Sequence, residues 1–121
     1  MVEEKDLYFK MEKMKREPNY KNKLNFYNVL KKIALYVPFV CVDGNTMVAT
    51  LVKDAKEEFY PGYVSLESLE KWPFELKEIR KLYFDELKDI MLEDSRDIKG
   101  VAVIPFREVI LLENEIMRRE F

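Results

Sequence analysis

The side chains of this sequence that could do chemistry are carboxylates, tyrosines, arginines and a single cysteine, because histidine is absent. Without imidazole there is no Ser-His-Asp triad, no His-ligated zinc and no base whose ordinary pKa lies near neutrality. The three glycines, Gly44, Gly62 and Gly100, are too widely spaced for a dinucleotide loop or a Walker-type phosphate cradle. Cys41 sits inside an apolar run, so it is expected to pack as a small hydrophobe with its thiolate disfavoured. A lone cysteine cannot form an internal disulfide, which fits a reducing, cytoplasmic setting.

Three groups of residues remain as candidate sites. Asp85, Glu86, Asp89, Glu93, Asp94 and Asp97 lie close enough in sequence to gather round a hard cation. They lack the alternating ligands and central glycine of a calcium loop, so a solvated helix face is expected, with no metal site. Phe59, Tyr60, Tyr63, Trp72, Phe74 and Phe106 cluster around proline turns. Large rigid rings bury area at little entropic cost, so Tyr60, Tyr63, Trp72 and Phe106 are the expected binding surface, with Arg107 placed to hold a carboxylate. The competing reading makes these rings a satellite cluster beneath the loops. The third group is basic: residues 1–32 hold nine Lys or Arg against five Asp or Glu, a net +4, leaving −6 for the remainder. Lys10, Lys13, Lys15, Arg16, Lys21 and Lys23, near Tyr20, could follow a phosphate backbone. A pI of about 5.4 and the alternation of Lys with Glu argue against nucleic acid, and an acidic protein partner is the better use of that charge.

The elements that must position these groups follow from periodicity. At 121 residues, with 48% hydrophobic and 36% charged residues, the chain reads as one globular domain able to bury a sizeable core. Leu7, Met11 and Met14 mark an amphipathic helix over 2–16, ended by Pro18 and Asn19. A second helix over 21–35 carries Leu24, Tyr27, Leu30 and Ala34, broadened by Phe26, Val29 and Ile33. Residues 36–42 form a buried strand, Asp43-Gly44-Asn45 a hairpin turn, and 46–52 the return strand. The tip is Asp43-Gly44 or Gly44-Asn45, and the two choices give different registers. The strand at 58–64 contains Pro61, which argues for an edge or a bulge, and such an edge leaves room for a homodimer. Ser65 caps a helix ending at Trp72, with Val64 and Leu69 spaced as a hydrophobic staple. Residues 76–83 fit both periods and are read as a strand. Asp85 caps a helix whose inner face is Leu87, Ile90 and Met91. Strands at 101–104 and 108–112 flank Pro105-Phe106-Arg107, and Asn114 caps a short last helix. The sum is an α/β (α+β) domain: a layered sandwich with a mixed five- to six-stranded sheet that starts with an antiparallel hairpin, packed by N-terminal and interspersed helices. No apolar run approaches the roughly 20 residues of a membrane span, and no n-region and h-region of a signal peptide is present.

Three segments resemble the N-terminal domain of the SseB family, named after an enhanced-serine-sensitivity phenotype. They are Leu35-Tyr36-Val37-Pro38-Phe39-Val40, the run from Tyr60-Pro61-Gly62-Tyr63-Val64-Ser65 to Glu70-Lys71-Trp72, and Ile98-Lys99-Gly100-Val101-Ala102-Val103-Ile104-Pro105-Phe106. In order and spacing they are similar to the family's Val-Pro strand, its aromatic-proline strand with a Glu-Leu-x-x-Trp helix, and its Gly-Ile-Val-Ile-Asn-Pro-Phe strand and turn. The resemblance covers about residues 24 to 121, leaving 1–18 as a helical extension of a single domain. Ile104 stands where the family has Asn, Arg107 where Gly often follows, and Tyr63-Val64 where Phe-Thr is usual. The resemblance implies an α/β domain with a mixed sheet and brings no catalytic set with it.

Together these readings predict a non-catalytic protein- or ligand-binding module without cofactor or membrane association, serving a protein partner. The alternatives are a small-metabolite enzyme using carboxylate or tyrosine chemistry, whose sign would be a perturbed Asp or Glu in a concave pocket, and a weak nucleic-acid binder acting through the basic N-terminal helices.

Overall fold

The computed structural model describes residues 4–69, 76–105 and 108–121; Trp72, Phe74, Phe106 and Arg107, with the expected helix end and the turn they occupy, lie outside them. Pro18 and Asn19 divide the N-terminal helical sequence into α1 (Glu4–Arg16) and α2 (Tyr20–Leu30). The Asn19 side chain accepts a hydrogen bond from the Asn22 backbone N–H at 2.9 Å, satisfying one of the donors a helix start leaves open. Leu7 and Met11, one turn apart on α1, enter the same core as Phe26 and Leu30 of α2. Helix α2 ends before Leu35 because that residue already opens β1 (Leu35–Val42).

β1 pairs antiparallel with β2 (Asn45–Val48), placing Val42 opposite Asn45 and making Asp43-Gly44 the two-residue tip. Both tip residues have positive φ, 51° and 81°, the backbone of a type I′ turn that matches the twist of the strands it joins. The register is thereby fixed. Cys41 lies at this far end of β1, opposite Thr46, and is exposed rather than packed in the core. Apolar neighbours in sequence do not bury it, because its cross-strand partner Thr46 borders an open hollow with Ile90 and Glu93.

The expected return strand over 46–52 is broken. After Ala49 and Thr50 the chain changes partner, and β3 (Leu51–Lys53) pairs with β4 (Glu57–Tyr63) instead of β1. That break raises the sheet to seven strands. β4 runs parallel to β6 (Ile98–Ile104), β6 antiparallel to β7 (Ile110–Glu113), and β5 (Glu78–Leu82) antiparallel to β1. Residues 76–83 thus hold the strand favoured by alternation. Phe39 is opposite Val48 on one side and Glu78 on the other, so β2 and β5 flank β1 and β5 forms an edge. Exposed Glu78, Arg80 and Lys81 cover that edge with charge, a common defence against strand addition.

Pro61 does not mark an edge. β4 lies inside the sheet, and Phe59 has Leu51 on one side and Gly100 on the other. The ladder to β6 does shift register, between Glu58 and Phe59. Val64 N–H donates to Ile104 at 3.1 Å, and backbone groups alternate sides along a strand, so the missing N–H of Pro61 faces away from β6. On that side β3 pairs only as far as Phe59 and β1 rejoins at Tyr63, leaving Pro61 opposite an interval where no donor is needed. The edge that would have carried a homodimer through Phe59 to Val64 is therefore occupied.

Helix α3 (Leu66–Leu69) begins after Ser65, whose hydroxyl accepts from the Ser68 N–H at 3.4 Å. Helix α4 (Phe84–Glu93) starts two residues earlier than an Asp85 cap requires: Tyr83 is the N-cap, and its backbone N–H donates to Glu86 Oε1 at 3.1 Å. Asp85 occupies the first turn instead, where its charge suits the helix dipole. In α5 (Asn114–Glu120), Asn114 is the first helical residue and its side chain donates to the Ile98 carbonyl at 2.8 Å. Gly100, with φ of 156°, lies where β7 closes on β6: a Cβ there would sit 2.0 Å from the Leu112 carbonyl oxygen. The fold is α+β, with the main core between one sheet face and α1, α2, α4 and α5, and a small second cluster of Tyr63, Leu69 and Ile104 on the other face.

Candidate functional site

Of the expected binding residues within the described structure, Tyr60 and Tyr63 are separated by the pleat. Residues two apart share a face and residues three apart do not, and these two rings enter different apolar clusters. Tyr60 is 0% and Tyr63 8% exposed, so neither ring offers area to a partner, and the reading of them as an exposed recognition surface is corrected to core packing. Their aromatic character signalled a buried central strand.

Tyr60 instead reaches the strongest convergence of ionisable groups in the described residues. Its hydroxyl donates to Asp94 Oδ2 at 2.5 Å. Arg96 grips the same carboxylate in a fork, Nε to Oδ1 at 3.0 Å and Nη2 to Oδ2 at 2.8 Å, and its backbone N–H also donates to Oδ1 at 2.9 Å. Arg96 Nη2 further donates to the Val48 carbonyl at 2.9 Å. The cluster ties the loop after α4 to β2 and β4. The Arg96 guanidinium holds the Asp94 carboxyl well below the usual carboxylate range, reinforced by the Tyr60 hydroxyl against the opposing effect of burial. Burial, then the hydrogen bond to Asp94, pushes the Tyr60 phenol well above its ordinary value. A general acid or base works best when its pKa is near the working pH, and these groups are driven the opposite way. The bridge is built to stay charged and saturated.

The other carboxylates of the acidic segment do not converge. Asp97 pairs with Lys99 at 2.8 Å, and among the described residues no group of three His, Cys, Asp or Glu side chains could hold a metal ion. On the N-terminal helices Lys15 is spent on Glu108 and Glu12.

A different surface emerges beside the bridge. Helix α4, the loop after it, the start of β6 and helix α5 enclose an open groove of about 370 Å³, within the size range of small ligand sites. α4 contributes Lys88, Met91 and Leu92, and α5 contributes Asn114, Met117 and Arg118. Each triplet has the i, i+3, i+4 spacing that puts three side chains on one helical face. Ile98 closes the floor, Arg96 and Asp97 stand at one end, and the Asn114 bond to the Ile98 carbonyl locks α5 against β6. Leu92 is 85% exposed at the rim. The side chains of Lys88 and Arg118 form no salt bridge or hydrogen bond among the described residues. On the far side of the bridge, Asp94 and Arg80 line a smaller hollow of about 230 Å³, but Arg80 is already committed to Glu78 at 2.7 Å and to the Phe39 ring at 4.3 Å.

Sequence reasoning did not find this groove because the inner stripe of α4, Leu87, Ile90 and Met91, explains the helix without it. The available signal was Leu92, an apolar residue outside that stripe, together with the repeated polar-x-x-Met spacing of Lys88-Met91 and Asn114-Met117. Among the described residues no helix is long and apolar enough to cross a membrane. No family model, curated protein or solved structure matches this chain.

Proposed function

We propose that this chain is a non-catalytic binding module related to the N-terminal domain of the SseB family, and that its seat for a partner is the groove between α4 and α5. The observation that carries this reading is the meeting of half-buried Met91 and exposed Leu92, above the buried Ile98 and Met117 of the core, with two cations that lack internal partners. Methionine-lined surfaces repack around varied apolar groups at low cost, which suits recognition more than catalysis. The family relation draws its support from the order of the Val-Pro strand β1, the aromatic-proline strand β4 and the glycine-entered strand β6, all of which take part in one mixed sheet.

The enzyme alternative finds no supporting feature in the bridge, where Asp94 is held ionised and Tyr60 protonated through the neutral range. A methyl-labelled methionine spectrum tests the seat. Small apolar probes such as indole should shift the half-buried Met91 methyl signal and that of Met117 buried beneath it, and leave Met11, which is buried away from the groove, in place. Shifts confined to other methionines, or an unchanged spectrum at millimolar probe, would remove the groove as the seat, and turnover of a metabolite by the purified chain would overturn the non-catalytic reading.

A further inference from the structure

Resting on that reading of the groove, we infer that its occupant is an acidic peptide segment of a partner protein, carrying at least one bulky apolar side chain between carboxylates. The charge arrangement selects the sign. Lys88 and Arg118 stand on opposite helices with the apolar floor between them, and neither meets a carboxylate within 4.0 Å among the described residues. Arg118 contrasts with Arg80, Arg96 and Arg119, each of which is already paired. Asp97, the acidic group at the end of the groove, is held by Lys99. Asp89 on α4 and Glu115 on α5 stand three residues from Leu92 and Arg118, roughly 60° round their helices at the border of the face, but they do not line the groove, whose charges are Lys88, Arg96 and Arg118 against Asp97. An anionic segment entering here meets two uncompensated cations, whereas a basic one would displace nothing and be repelled.

Shape and exposure favour a macromolecular segment over a small free acid. The groove is open along one side, and Leu92 rises from its rim with 85% of its surface in water. A small carboxylate lying on the floor would leave Leu92 exposed, while a chain crossing the rim would cover it. The lining residues run from 88 to 92 on α4 and from 114 to 118 on α5, a floor roughly 6 Å long at 1.5 Å per helical residue. That length seats about two extended residues at roughly 3.3 Å each, the apolar centre of a segment whose flanks lie over the rim. One apolar anchor between acidic residues therefore satisfies floor, rim and charge together.

The probe is a fluorescein-labelled hexapeptide with a Leu-Phe centre flanked on each side by two acidic residues, titrated by anisotropy into the full chain. It should bind about tenfold or more tightly than two control peptides, one with lysines in place of the acids and one with Ser-Gly in place of Leu-Phe, because each control deletes one half of the recognition. Raising the salt concentration should weaken it. The double variant Lys88→Glu/Arg118→Glu should lose the acidic peptide about tenfold or more and gain the lysine peptide, with an unchanged melting temperature. A milder Arg118→Gln variant gives the same direction should the double variant melt early. Equal binding of acidic and basic peptides, or indifference to charge reversal, would overturn the inference. So would sodium octanoate shifting the Met91 and Met117 methyl signals while the peptide does not, which assigns the groove to small acids. Loss of charge preference with indole still shifting those methyl signals refutes the peptide and leaves the seat standing; silence from both refutes the seat.

Discussion

The Tyr60-Asp94-Arg96 bridge and the groove beside it share an arginine, yet they spend their polar groups in opposite ways. In the bridge, Asp94 accepts from a phenol, a guanidinium fork and a backbone N–H, and the second use of Arg96 is a carbonyl on β2. In the groove, Lys88 and Arg118 make no such bonds. Converging ionisable residues with shifted pKa values draw attention as a site, but saturation decides the matter. A group whose bonds are all satisfied inside the molecule has nothing to offer a ligand, and its shifted pKa records structural pairing.

If that contrast is right, removing bridge groups should cost stability and removing groove groups should cost binding. Asp94→Ala strands the Arg96 guanidinium and the Tyr60 hydroxyl in a largely buried place, and we expect a loss of about 3 kcal/mol in urea unfolding. Tyr60→Phe removes one charge-assisted bond and keeps the ring, so a loss of about 1.5 kcal/mol is expected. Leu92→Ser should change stability by less than about 0.5 kcal/mol, as for an exposed side chain away from structural features, while weakening the acidic peptide measurably. A Leu92→Ser variant that melts several degrees lower would make Leu92 structural and blur the division.

Titration sharpens the same comparison. Asp94 has a folded pKa below its unfolded value of about 3.9, so its contribution is present above that pH and is lost as pH falls further. Tyr60 has a folded pKa above its unfolded value of about 10, so its contribution is present below that pH and is lost as pH rises beyond it. Stability measured against pH should therefore decline at both ends. Asp94→Asn should flatten the acid limb and Tyr60→Phe the alkaline limb; variants that leave both limbs unchanged would dissociate the bridge from the pH response.

How much of this was legible in the sequence depends on the range of the interaction. Local signals carried well: the break at Pro18-Asn19, the hairpin turn within Asp43-Gly44-Asn45 and the Leu7-Met11 stripe act within a few residues, whereas the choice of Asp43-Gly44 as the tip came from the pairing of Val42 with Asn45. Signals that depend on distant partners were ambiguous. Pro61 reads as an edge or a bulge because a central strand normally needs every N–H; the ladder to β6 does shift register between Glu58 and Phe59, but only the pairing limits of β3 and β1 reveal an interval where one N–H can be spared. Cys41 reads as core because its neighbours are apolar, although its cross-strand partner Thr46 borders an open hollow beside α4. The partnership of Tyr60 with Asp94 spans 34 residues, a separation at which no spacing rule operates. For the groove, the two triplets were visible as text, but their facing one another is a property of how α4 and α5 pack across β6.

The most direct test follows the methionine methyl signals while the acidic hexapeptide is added to the unmodified chain. Saturable shifts of Met91 and Met117, with Met11 and Met47 unmoved and the response abolished by Lys88→Glu/Arg118→Glu, are the expected result. Peptide binding that shifts Met47 or Met11 while leaving Met91 and Met117 still would place recognition elsewhere and contradict the account.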